Sequence, residues 1–176
     1  MRRLKSKIVS RQEAARQVRA WRRAGERIVF ANGCFDIFHA GHVRFLETAR
    51  RHGDRLVVAV NEDVSVRRLK GPQRPILPAW QRAELVAALE SVDLVIRFPE
   101  LRVTPLLKLL RPEVFVKGGD YKRETVDQVE LAVLEARGGK LVFAPLLRRS
   151  SSSRLIARIA AEGDARKSGR GERGKS

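Results

Sequence analysis

Five short runs, Ile28 to Ala31, Leu56 to Asn61, Leu94 to Arg97, Val114 to Lys117 and Lys140 to Ala144, are rich in apolar and β-branched residues. Strands that are apolar along their whole length are buried on both faces, as in a parallel sheet joined by crossover helices. Between them, Val43 to Arg51, Ala79 to Leu89, Thr104 to Leu110 and Val126 to Ala136 carry apolar residues at the three-to-four spacing of helices that bury one face. The pattern predicts an α/β fold, an open parallel five-stranded sheet with helices on both faces. Ligands of such a sheet bind outside the carboxyl ends of the strands. The segments after Ala31, Asn61, Arg97, Lys117 and Ala144 are therefore where functional residues are expected.

Ser10 followed by Glu13 is a capping-box pattern, opening an amphipathic helix through Trp21 that Gly25 ends. Ser151 to Ala161 starts with hydroxyl residues suited to a helix cap and runs through Leu155, Ile156 and Ile159. Both helices are expected to pack on the body, and both tryptophans, Trp21 and Trp80, are expected in the core, with an interface position as the alternative. Residues 163–176 are almost without apolar side chains and cannot offset their ordering entropy, so a disordered basic tail is expected. The chain thus divides into a basic N-terminal helix (1–27), a body (28–162) and a tail (163–176).

With 43% hydrophobic residues the 176-residue chain can build a core, and a single cysteine excludes a disulfide scaffold. No apolar run approaches the roughly 20 residues of a membrane-spanning helix. The basic start, Met1-Arg2-Arg3-Leu4-Lys5, is followed by more charge rather than by a secretory core, so a cytoplasmic location is expected. The net charge of +17 is mostly peripheral: residues 1–27 hold ten Lys/Arg against two Glu, and the tail holds five basic residues against two acidic ones. Aromatic residues do not interleave with the basic ones and no recognition motif appears, which argues against nucleic acid as the main partner.

The first strand runs into Asn32-Gly33-Cys34-Phe35-Asp36-Ile37-Phe38-His39-Ala40-Gly41-His42. Two histidines three apart at a helix start share a face and can point at one small object. Gly41 between them admits close approach to the backbone, and a helix N-terminus favours an anion. A phosphate suits this corner; capping or core histidines are the alternative. No Gly-x-Gly-x-x-Gly follows the strand, which disfavours a dinucleotide oxidoreductase. Lys70 lies in Arg67 to Pro72, read as a loop that can close over a polyanion or stand as a solvated basic loop. Lys117-Gly118-Gly119-Asp120-Tyr121 allows a tight turn after the fourth strand, and Ser150 to Ser153 precede the last helix. Cys34 is read as a small packing residue.

These motifs resemble the His-x-Gly-His nucleotidyltransferase superfamily. Asn32 to Gly41, with Arg68-Leu69-Lys70-Gly71 and Val116 to Tyr121, is similar to the D-glycero-β-D-manno-heptose 1-phosphate adenylyltransferase family over about Ile8 to Ala160. The resemblance implies a Rossmann-like nucleotidyltransferase fold and transfer of AMP from ATP to a heptose 1-phosphate, giving ADP-heptose and pyrophosphate for lipopolysaccharide or related surface glycans. It implies catalytic roles for His39, His42 and Lys70, and nucleotide contacts from Asn32, Gly33, Cys34, Phe35, Gly41, Lys117, Gly118, Gly119, Asp120, Ser151, Ser152 and Ser153. Asp36, Asn61, Asp63 and Arg82 fall at positions expected on the substrate side. Mg²⁺ is expected to arrive on the triphosphate without a protein cage. A homodimer and a functional link to a separate heptose 7-phosphate kinase also follow from the resemblance. The histidine motif does not choose the base, so transfer of CMP from CTP to glycerol 3-phosphate is the alternative, and a non-catalytic nucleic-acid-binding module is a third reading. Phe98 to Pro105 departs from the acidic pair of many relatives, which bears on the choice of sugar.

Overall fold

The computed structural model describes residues 4–119, 122–145, 156, 159, 161 and 162. The strands are β1 (Ile28–Gly33), β2 (Arg55–Asn61), β3 (Leu94–Phe98), β4 (Val114–Gly118) and β5 (Lys140–Ala144). They form one parallel sheet in the order β3-β2-β1-β4-β5. The helices are α1 (Leu4–Lys7), α2 (Arg11–Arg23), α3 (Ala40–Arg50), α4 (Asp63–Lys70), α5 (Ala79–Ala87), α6 (Thr104–Leu110) and α7 (Gln128–Glu135).

Side chains alternate across a strand, so each buried run supplies two cores. Phe30, Val57, Ile96 and Phe115 face one side and meet Ala14, Val18 and Trp21 of α2, Leu106 and Leu110 of α6, and Leu134 of α7. Val29, Ala31, Val58, Val60 and Val116 face the other and meet Leu46 and Ala49 of α3 and Ala83 and Val86 of α5. Helices therefore cover both faces, as the strand pattern requires. The sheet order reverses between β1 and β4, so the crevice of this fold opens where Asn32 and Gly33 stand beside Lys117 and Gly118.

The N-terminal segment is part of the body. Ser10 caps α2, its hydroxyl accepting from the Glu13 amide at 3.2 Å, while the Glu13 carboxylate turns to Arg16 and Gln17 instead of closing the capping box. Ile8 forms a parallel bridge with Val95, covering the β3 edge, and Arg22 of α2 holds Glu113 and the carbonyl of Leu110. Gly25 follows α2 with φ +81, a conformation that favours glycine.

Three expectations need correction. Residues 63–70 form helix α4 rather than loop: after Gly71, with φ +98, the chain leaves the helix, so Lys70 is its last residue. The short apolar stripe of α4, Val66 with Ser65, is too sparse for periodicity to reveal. Helix α3 starts at Ala40, one turn earlier than the apolar spacing suggests. Trp80 is 53% exposed, because α5 buries Ala79, Ala83, Val86 and Ala87 and turns Trp80 outward; Trp21 is in the core. Of the helix expected over Ser151 to Ala161, the described residues Ile156, Ile159 and Ala161 are helical, with Ile159 exposed; the rest of it and the tail at 163–176 lie outside the described residues. No described helix is long and apolar enough to cross a membrane. Trp21→Ala should cost about 3 kcal/mol or more of unfolding free energy in a urea titration, whereas Trp80→Ala should stay within about 0.5 kcal/mol of the parent.

Candidate active site

The chain turns sharply after β1. Phe35 has φ +50, rare for a bulky residue and a locally strained conformation, and its ring is buried. That conformation tucks the ring beneath Gly33, where an added Cβ would meet it at 3.1 Å. Helix α3 then begins with His39 as its N-cap: the ring Nδ1 accepts from the Gly41 amide at 3.1 Å. The capping reading and the ligand reading of the first histidine are therefore compatible, since a cap through Nδ1 leaves Nε2 available.

His42, one turn on, stacks on His39 with ring centroids 3.9 Å apart. Phe38 stacks on its other side at 5.4 Å and Phe35 meets it edge-on at 5.3 Å. Its Nδ1 is buried without a hydrogen-bond partner. Burial lowers the pKa of His42 to about 4, helped by repulsion from His39 whenever that ring is protonated and by the Lys70 ammonium; burial lowers that of His39 as well. At neutral pH both rings are uncharged. Lys70 is exposed at the end of α4, near enough for its ammonium to act on both His42 and the Cys34 thiol.

Cys34 is held towards its neutral thiol form. Burial raises its pKa, and its sulfur lies 3.9 Å from Asn61 Oδ1. Asn61, itself buried, donates to Ser65 Oγ at 3.3 Å, so its side chain braces the start of α4. Three more expected substrate-side residues are engaged within the protein. Asp36 accepts from the amides of Ile76 at 2.7 Å and Leu77 at 3.1 Å and pairs with Arg74. Arg82 donates to the carbonyls of Cys34 at 2.5 Å and Leu77 at 2.8 Å and to Asp63 at 2.7 Å. The side chains of Asp36 and Arg82 are fully buried.

Across the crevice, Lys117 donates to Asn32 Oδ1 at 3.1 Å and lies 3.3 Å from Glu130 of α7. Glu130 is buried and its other oxygen accepts from the Val103 amide at 2.8 Å. Lys117 thus ties β1 to β4 at the point where the sheet order reverses. Gly118 ends β4, and Gly119 is exposed in the turn that follows. Asp120, Ser151, Ser152 and Ser153 lie outside the described residues.

The structure therefore gathers His39, Gly41, His42 and Lys70 with the turn of Asn32, Gly33, Cys34 and Phe35 and with Lys117. Sequence reasoning missed Arg74 and Glu130. Arg74 follows a run of basic residues, where nothing in its chain neighbours separates it from a solvated charge. Glu130 sits at a core-facing position of α7, four residues after buried Val126 and four before Leu134, and a lone carboxylate on an apolar stripe was the available signal. Among the described residues no three His, Cys, Asp or Glu side chains gather as a metal cage.

A model of the cytidylyltransferase-like family matches residues 30–158. The chain is 48% identical over 158 residues to the bifunctional protein HldE of Gluconacetobacter diazotrophicus, a match covering 90% of this chain and 32% of that protein. It is 51% identical over 150 residues to the bifunctional protein HldE of Halorhodospira halophila, covering 85% and 30% respectively. The chain spans about a third of the length of these curated relatives. Among solved structures, the lipopolysaccharide core biosynthesis protein from Thermoplasma volcanium GSS1 superposes with a TM-score of 0.58 at 29% identity, covering 72% of this chain and 100% of that one.

In an NMR titration of the ligand-free protein, His42 should protonate near pH 4 rather than near 6.5. The unfolded chain then binds this proton more readily, so His42 makes the fold lose stability as pH falls from about 6.5 towards 4, by at most about 1.4 kcal/mol per pH unit. Lys70→Ala should move the His42 value upward. Titration of His42 at an ordinary value would contradict the burial described.

Proposed function

Because the chain belongs to the cytidylyltransferase-like family, we propose that it is a nucleotidyltransferase that transfers AMP from ATP to D-glycero-β-D-manno-heptose 1-phosphate, giving ADP-heptose and pyrophosphate for lipopolysaccharide or a related glycan. The observation that carries the reading is the stacked His39–His42 pair at the N-terminus of α3, with Lys70 within electrostatic reach of His42. The identity of about 50% to HldE proteins across most of the chain supports it. So does the likeness to the Thermoplasma volcanium protein, a lipopolysaccharide core biosynthesis protein.

In this reaction an oxygen of the sugar phosphate attacks the α-phosphorus of ATP. The bond from that phosphorus to the bridging oxygen breaks, and the electron pair leaves with pyrophosphate. The attacking phosphate has its second pKa near about 6, so it is already ionised and needs no general base. What the protein must supply is position and charge stabilisation. His39 and His42 are assigned to the α-phosphoryl oxygens and the bridging oxygen, with Lys70 as a mobile point charge on the same polyanion. The turn from Asn32 to Phe35 offers backbone contacts, and Lys117, Gly118, Gly119 and Asp120 are assigned to the base and ribose side. Ser151, Ser152 and Ser153 are assigned to the outer phosphates. Mg²⁺ would neutralise charge on the triphosphate, which carries it into the site. We place the reaction in the cytoplasm, with the acceptor supplied by a heptose 7-phosphate kinase.

Pyrophosphate release from MgATP and heptose 1-phosphate tests the reading, and it should stop when the metal is chelated. His42→Ala should lower kcat by about 10²-fold or more while keeping the parent's melting temperature. Turnover of CTP with glycerol 3-phosphate, and none of ATP with heptose 1-phosphate, would replace the proposed substrates.

A further inference from the structure

We propose that Asp36 and Arg82 are positioning residues that set the place of Lys70 against the histidine pair, and that neither binds substrate. The inference rests on the adenylyltransferase reading only for its kinetic arm. Helix α4 carries Lys70 at its last position, and both ends of this helix are tied to those two buried side chains.

At the start of α4, Asp63 pairs with Arg82, whose other donors reach the carbonyl of Cys34 in the turn after β1 and that of Leu77. Beyond its end, the Gly71 amide donates back to the Arg67 carbonyl at 2.9 Å, and the Arg74 amide to the Gly71 carbonyl at 3.1 Å. Asp36, from the same turn that leads to His39, then holds Arg74, Ile76 and Leu77. The links close a ring: turn, Asp36, segment 74–77, Arg82, and back to the turn at Cys34. Along the chain, Lys70 lies between Asp63, which Arg82 holds, and Arg74, which Asp36 holds.

A bound phosphate would have to compete for groups already occupied. Both Asp36 oxygens accept internal donors, and every nitrogen of the Arg82 guanidinium serves an internal acceptor. An anion reaching Arg82 would have to break one of these bonds and expose a fully buried side chain. A carboxylate is in any case a poor direct partner for phosphate. The arrangement instead delivers the flexible side chain of Lys70 from a fixed base, within electrostatic reach of His42.

A double-mutant cycle on the full chain, with Arg82→Lys, Lys70→Ala and the pair, tests this. Arg82→Lys keeps the charge and cannot serve three acceptors in a planar fork. It should lower kcat by about 10²-fold with little change in the KM for heptose 1-phosphate. In the Lys70→Ala background the same substitution should cost little, because the group it places is gone. Amides of residues 64–77 should exchange hydrogen faster in Arg82→Lys than in the parent, without substrate, while those of β1 stay protected. Asp36→Asn should reproduce the pattern, and Arg74→Met, in the outer segment, replaces it should Asp36→Asn fail to fold. A rise in acceptor KM that persists in the Lys70→Ala background, or unchanged exchange at 64–77, overturns the proposal. Should the parent protein turn over no substrate, the functional reading fails by itself, and the exchange measurement still decides whether these two charges hold α4.

Discussion

Pairing of β1 with β2 on one side and β4 on the other is the constraint from which the site follows. Crossovers run outward from β1 in both directions, so the connections leaving β1 and β4 diverge and their carboxyl ends border an open crevice. Continuous burial of Ile28 to Ala31 and Val114 to Val116 makes this pairing possible only in the centre of the sheet. Once those strands are fixed there, the residues that follow them have little choice of place. The glycine and the left-handed Phe35 after β1 turn the chain into α3, and His39 arrives at the helix start as its cap.

Charge is then placed inside the fold at a few points only. Asp36, Arg82, Lys117 and Glu130 are all buried, and each meets partners that replace the water it loses. Buried ion pairs return little net stability against apolar replacements, since desolvation consumes most of the attraction. What they give here is direction. Lys117 and Glu130 connect β1, β4, α7 and the Val103 amide before α6, while Asp36 and Arg82 connect the β1 turn to α4 and α5. Both sets converge on the same end of the sheet.

The sheet was legible because burial on both faces leaves strands with no polar alternation to confuse them, and all five runs lie within one or two residues of the observed strands. The histidine corner was legible for a local reason: turn, glycine and helix start are adjacent in sequence. Helix α4 was not, because a helix of 63–70 with two buried positions and a basic end carries almost no periodic signal. The internal duties of Asp36, Asp63 and Arg82 were illegible for a different reason. Apart from the Leu77 carbonyl five residues from Arg82, their partners lie 38 to 41, 19 and 48 residues away, and a side chain that faces a loop in space cannot be told from one that faces a ligand by its neighbours in the chain. Trp80 shows the same limit on α5, where the small residues Ala79, Ala83 and Ala87 take the buried face and the largest one is left outside.

The histidine pair has a property that its sequence spacing does not suggest. Two imidazoles 3.9 Å apart, one of them walled by Phe35 and Phe38, are held neutral by burial, which for His42 is reinforced by the neighbouring His39 and Lys70. A polyanion entering the corner reverses each of these effects: it offers hydrogen-bond acceptors to the ring nitrogens and a negative potential that favours the protonated form. The positive charge of the pair is thus coupled to the negative charge that arrives, and it grows as more negative charge gathers near the rings. Charge that builds on the bridging oxygen as a phosphoanhydride bond breaks would draw a proton more strongly than the ground state does. In the proposed reaction, a neutral pair in a tight aromatic cradle would therefore favour the later species over the earlier one, which a permanently charged lysine at the same place would do less selectively.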